Sequence, residues 1–205
     1  IMILGSAITR GYQDVIHQKF FDSWGQIHIT PFLADPNNLN SYELIQYDSS
    51  LVKRVNHAEG VKAVESYTIQ SAILKTGKEI EGLLLKGIGP HHPSSKNYLV
   101  KGQAMRFSDT AYSTDILVSN SISTQLDLHA GDQAIVYFLT EGGMSPIARK
   151  VTIRGIYNTG LEEYDKLFAL CDSRLINHVR HRSENSINGY EVYLSPNIDE
   201  SSVEK

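Results

Sequence analysis

Gly155-Ile156-Tyr157-Asn158-Thr159-Gly160-Leu161-Glu162-Glu163-Tyr164-Asp165, followed by Leu167-Phe168-Ala169-Leu170, sets the architecture of this chain. An apolar run enters an Asn-Thr-Gly turn signal and a second apolar run leaves it, a pattern that predicts strand, tight acidic turn, strand. Working backwards, residues 149–157 extend the first strand; working forwards, 167–171 form the second. Beyond them, 174–182 place Leu175, Ile176 and Val179 at helical spacing, and Tyr190, Val192 and Leu194 alternate as in a strand.

A similar set precedes it. Residues 61–74 and 79–88 read as two strands joined by the turn Thr76-Gly77-Lys78. Ahead of them, Asn40 and Glu43 form a capping-box pattern. The pattern predicts a helix with Leu44, Ile45, Leu51, Val52 and Val55 on its apolar face, ended by Glu59-Gly60. Ile27 to Thr30 alternate as a short strand after Trp24-Gly25. Residues 1–23 carry Leu4, Ile8, Tyr12, Val15, Ile16 and Phe20 at helical spacing.

Between the two sets, Gly89-Pro90-His91-His92-Pro93-Ser94-Ser95 cannot continue a helix or a strand and marks a boundary. After it come the buried strand 116–118, a helix capped by Ser119 with Ile122 and Leu126 inward, the turn Gly131-Asp132, and strands over 134–139 and 149–157. The expected class is therefore α+β. A helix over 1–23 leads into an α+β subdomain built from 24–90 and 159–205, with a mainly β subdomain, 91–158, inserted in its middle.

Composition limits what such a chain can do. Its 205 residues, 41% hydrophobic and 20% charged, suit one sizeable domain or two small ones. A net charge of -4 argues against a nucleic-acid partner, which needs a basic stripe. The one basic cluster, His178-Val179-Arg180-His181-Arg182, suits the C-terminal end of a helix. Cys171 is the single cysteine and lies in an apolar run, so an intramolecular disulfide is excluded and a buried structural thiol is expected.

Catalytic and cofactor patterns are missing. The 8 histidines include the adjacent pair His91-His92, whose side chains point apart, and His178 with His181, three apart on a helix without a carboxylate at matching spacing. No metal site is expected from them. Glu162, Glu163 and Asp165 are the one carboxylate cluster in a Gly-framed turn. Residues of a solvated turn, or pins of a hinge, are expected rather than acid and base of a small hydrolase. The sequence holds no Gly-x-Ser-x-Gly elbow and no phosphate-binding glycine pattern, so neither an enzyme nor a cofactor is expected.

Several stretches, in order, resemble the extracytoplasmic domains of ABC-transporter permeases of the lipoprotein-releasing type, within the FtsX/MacB-like superfamily. They are Thr9-Arg10-Gly11-Tyr12-Gln13, Trp24-Gly25-Gln26-Ile27-His28-Ile29, Glu59-Gly60-Val61-Lys62-Ala63-Val64, Gly87-Ile88-Gly89-Pro90, Ile116-Leu117-Val118, Leu126-Asp127-Leu128, Gly131-Asp132, and the 155–170 stretch. Gln26 stands where that family leads one to expect His, and Ser119 where a glycine is expected.

The resemblance implies a porter-like subdomain with an inserted sabre-like one. It also implies a cytoplasmic ATPase subunit, a second permease subunit, and a place on the periplasmic side of the inner membrane. Helix 1–23 would then continue a membrane span lying before Ile1, with another span after Lys205. The function implied is transfer of lipoprotein cargo to a periplasmic carrier. The alternative within the superfamily is efflux, or activation of a wall hydrolase, through a docked partner. By position, 140–150 matches the family's docking hook, with Met144, Pro146 and Ile147 for contact and Arg149 as a cationic anchor. The face Ile8, Tyr12, Ile16 and Phe20 would meet an acyl chain or a neighbouring subunit.

Overall fold

A computed structural model of the chain describes residues 21, 24–31, 44–77, 79–140 and 145–195. The expected helix over 1–23, with its face Ile8, Tyr12, Ile16 and Phe20, lies outside these except for helical Phe21, as do Asn40, Glu43 and Met144. Gly25 follows helical Trp24 with φ +75 and donates its N–H to the Phe21 carbonyl at 2.8 Å, a left-handed close that favours glycine.

The elements are β1 (Ile27–Ile29), β2 (Ile45–Gln46), α1 (Ser49–Asn56), β3 (Val61–Lys75), β4 (Ile80–Ile88), a 3-10 turn (Pro93–Ser95), β5 (Leu99–Gly102), β6 (Asp115–Ser119), α2 (Asn120–Gln125), β7 (Gln133–Phe138), β8 (Ile147–Tyr157), α3 (Glu162–Leu167), β9 (Phe168–Asp172), α4 (Ser173–Val179), β10 (Ser186–Ile187) and β11 (Gly189–Leu194). The fold is α+β, as the sequence leads one to expect. Two local expectations are corrected. The first helix begins at Ser49, not before Leu44, because Asp48 accepts from the Ser50 and Leu51 N–H groups at 2.8 and 3.3 Å. Ile45 instead pairs with Ile187 in a two-stranded ribbon. The acidic turn at 162–165 is a short helix, α3, whose first turn gathers the carboxylates near the positive end of its dipole.

Strand β3 ties the molecule together. Its first half pairs antiparallel with β11, which pairs with β1. Its second half pairs with β4 on one side and β7 on the other. From there β4 pairs with β9, β9 with β6, β6 with β8, and β8 with β7, so the ladder returns to β3 and closes a ring of six strands. Segments 24–90 and 159–205 supply three of those strands (β3, β4, β9), and 91–158 supplies the others (β6, β7, β8). Division of the chain into subdomains is therefore not a division of the sheet.

Alternation fills the ring. Ala72 and Leu74, Leu83 and Leu85, Ile116 and Val118, Val136 and Phe138, Val151 and Ile153, and Ala169 and Cys171 point inward at period two from their strands. Helices α2 and α4 plug the core with Ile122, Leu126, Leu175, Ile176 and Val179. Ser119, whose Oγ accepts from the Ile122 N–H at 3.1 Å, caps α2 as the sequence predicts. Cys171 is fully buried and burial pushes its thiol far up, so it remains an unreactive core thiol. Beside the ring, α1 lays Leu51, Val52 and Val55 on Val64, Tyr190 and Val192 of the β1-β11-β3 layer.

Candidate functional site: a buried ionic junction

The other face of that layer meets the outside of the ring, and the contact is charged. Glu191 on β11 and Lys86 on β4 have no exposed side-chain surface and lie 2.6 Å apart. His92, at the cap of the 3-10 turn, brings Nε2 to 2.9 Å from the second Glu191 oxygen. The Tyr193 hydroxyl donates to that oxygen at 2.8 Å. Over the Lys86 ammonium, at 4.2 Å from its centroid, lies the ring of Trp24.

Trp24 also stacks on His28 at 5.5 Å and meets Tyr164 and Phe168 at 5.4 and 5.0 Å. Three parts of the chain converge here: the residue closing the N-terminal helical segment, the ring, and the 155–170 stretch. Within that stretch, Asp165 is buried and accepts from the Thr159 hydroxyl at 2.8 Å and from the Thr159 N–H. Ser119 Oγ donates to the Asp165 carbonyl, and the Tyr157 hydroxyl donates to the Phe168 carbonyl at 2.6 Å. Glu162 is exposed and pairs with Lys166 at 2.6 Å. Glu162 and Glu163 are exposed and Asp165 is buried, so Asp165 is the pin of the three.

Burial pushes the Glu191 carboxyl up, but the attraction of Lys86 and the hydrogen bond from His92 outweigh it and hold it at about 2. Burial pulls Lys86 down against the raising pull of Glu191. His92 and His28 are both lowered, first by burial and further by Lys86, against the opposing pull of Glu191. Glu65, paired across the ladder with Glu191, is raised by burial and by Glu191, with His91 opposing. At neutral pH the junction therefore holds the Glu191 carboxylate against Lys86, beside neutral imidazoles.

A pH dependence follows. The unfolded chain protonates its imidazoles near the ordinary value of 6.5, before the folded chain does. Stability therefore falls as pH drops below that value. The Glu191 contribution is complete above 4.5 and is lost as pH falls towards about 2. Glu65, raised in the fold, works in the opposite direction below its own value. Urea unfolding should show stability declining from pH 7 to pH 5, and H28Q/H92Q should flatten that slope; an unchanged slope in the double variant assigns the decline elsewhere.

None of the junction residues stands out as a site in the sequence. Glu191 and Tyr193 fall on the expected outward face of an alternating strand, yet every residue of β11 is buried. One signal was present: Lys86 interrupts the run Leu83-Leu84-Leu85-Lys86-Gly87-Ile88, and a cation inside a fully apolar strand needs a buried partner. Of the histidines expected to diverge, His91 is exposed and His92 buried.

Of the described residues matched to a hook, Pro146 lies just before β8, and Ile147 and Arg149 lie on it. Pro146 is exposed. Ile147 pairs with Phe138 and packs partly on the core, so little of it is free for contact. Arg149 is half-buried, bonds the Ala148 carbonyl at 2.9 Å and lines a cleft of about 630 Å³ with Lys75, Ile135 and Lys150.

The fold has known counterparts. The extracellular domain of the noncanonical ABC-type transporter YknZ from Gram-positive bacteria superposes with a TM-score of 0.55 and 16% identity, over 87% of this chain and 88% of its own. The periplasmic region of MacB from Actinobacillus actinomycetemcomitans gives 0.57 and 15%, over 90% and 82%. The fold is thus the one these ABC-transporter domains have. No protein-family model matches the chain, and no curated protein matches its sequence.

Proposed function

We propose that this chain is the extracytoplasmic domain of an ABC-transporter permease of the FtsX/MacB-like kind. It passes on motion driven by a cytoplasmic ATPase subunit and catalyses nothing itself. The observation that carries this is the fold, similar over most of both chains to the YknZ and MacB domains. The permease would sit in the inner membrane with a second permease subunit, and this domain on its outer, periplasmic side.

Within that class, the ordered motifs favour transfer of lipoproteins to a periplasmic carrier. The likeness to the MacB domain favours equally an efflux or hydrolase-activating permease that docks a periplasmic partner. The hook residues Met144, Pro146, Ile147 and Arg149 would touch such a carrier, and Ile8, Tyr12, Ile16 and Phe20 the cargo or the neighbouring subunit.

The test is to purify the tagged full-length parent in mild detergent and identify its companions by mass spectrometry. An ATPase with lipoproteins or a carrier supports lipoprotein release, and an ATPase with an adaptor or wall hydrolase supports the alternative. Absence of any ATPase overturns both. R149A should then abolish carrier binding without loss of fold; retained binding removes the hook.

A further inference from the structure

His92 ties the connection that leaves β4 to the layer beside the ring, and only 1% of it is exposed. Both nitrogens of its ring are in use. The Ser94 N–H donates to Nδ1 at 3.2 Å, capping the three-residue 3-10 turn Pro93–Ser95. Nδ1 therefore offers a lone pair. The single proton of the neutral ring sits on Nε2, which donates to Glu191 at 2.9 Å. A second proton has one place to go, Nδ1. There it meets the Ser94 N–H, donor against donor, and the cap breaks.

The charges around the ring do not accommodate that proton either. Glu191 on β11 already serves three donors, Lys86 of β4 on one oxygen and His92 with Tyr193 on the other. Lys86 balances the carboxylate at 2.6 Å, so an imidazolium beside it is surplus positive charge. Glu65 on β3, the cross-strand partner of Glu191, also faces the seam. Burial and Glu191 raise its carboxyl, so it takes up a proton as pH falls and withdraws negative charge when the imidazole would need it. His28, stacked on Trp24, and His91, next in sequence, add positive charge on protonation and supply no counter-charge.

Release of His92 disturbs little else. Glu191 keeps Lys86 and Tyr193. The layer is held elsewhere, since the Gln26 N–H donates to the Val192 carbonyl at 2.9 Å and the Ser195 N–H to the Gly60 carbonyl at 2.8 Å. Within the turn, only short-range bonds are lost, such as Ser95 N–H to the His92 carbonyl at 3.0 Å. We propose that His92 is an acid-released latch. Protonation at Nδ1 opens the 3-10 turn and frees the β4–β5 connection from β11, while the ring and the layer stay folded. The device is a property of the folded chain and does not rest on the permease reading.

The direction follows from linkage. In the closed seam the imidazole is held below its ordinary value of 6.5, by burial first and Lys86 next, against Glu191. In the open turn it titrates near that value. Opening is therefore favoured below 6.5, by up to about tenfold per pH unit.

Amide exchange of the ¹⁵N-labelled 205-residue chain at pH 7 and pH 5, corrected for the intrinsic rate at each pH, reads turn and core separately. Protection at Ser95, Lys96 and Asn97 should fall at least about tenfold further than protection on β6 and β9. The His92 imidazole resonances should titrate over the same range. H92N keeps an acceptor for the Ser94 N–H but cannot titrate, so it should keep the parent circular dichroism at pH 7 and lose the extra fall. An equal fall in turn and core is global loss of stability and overturns the latch. So does an imidazole that titrates while Ser95 stays protected, or an extra fall retained in H92N. If H92N does not fold, exchange and imidazole titration in the parent decide by themselves.

Discussion

E191Q is expected to lower the stability of the chain by about 3–5 kcal/mol, the usual cost of removing one member of a buried ion pair. The neutral amide leaves the Lys86 ammonium without a counter-charge, under Trp24 and with no exposed surface. The hydrogen bonds of His92 and Tyr193 lose the charge that strengthens them. K86M should cost a similar amount by stranding the carboxylate. The double variant K86M/E191L removes both charges, and apolar replacement of a whole pair is often neutral. Urea unfolding of the four proteins gives the comparison. A double variant as unstable as the sum of the singles would mean that the two charges do not act as a pair.

F138A is expected to cost about 3–5 kcal/mol for a different reason, an empty volume inside the ring. Phe138 has no exposed surface and stands in the ladder between Ala72 of β3 and Ile147 of β8. It fills the place where the ring closes. F138L retains most of the volume and should cost about 1 kcal/mol. If chemical denaturation finds F138A within about 1 kcal/mol of the parent, the ring core tolerates collapse at that seam and Phe138 is not needed to fill it.

The parts of this fold legible in the sequence are those set by local pattern. Strands β3 and β4 with their Thr76-Gly77 turn, the inward face Leu175, Ile176 and Val179 of α4, and the Ser119 cap follow from periodicity and capping chemistry that act within a few residues. Asp48, the actual cap, is a weaker sequence signal than Asn40 with Glu43, which form a complete capping-box pattern. Nor does periodicity betray α3, since six residues give it too little length. Ring closure is not legible at all, because β3 meets β7 across 60 to 66 residues (135 − 75 to 138 − 72) and no local signal encodes that pairing. The junction is invisible for the same reason. Lys86 and Glu191 are 105 positions apart (191 − 86), and each looks like an ordinary strand charge until the fold brings them together.

The bond from Ser195 to Gly60 and that from Gln26 to Val192 make this domain a portable cassette. Within the described residues the chain enters and leaves this layer side by side, at Gln26 and Ser195, so that stretch can be spliced into a surface loop of another protein without breaking any strand of the ring. Evolution can therefore move such a module between hosts, or lengthen its attachments, while leaving the six-stranded interior untouched.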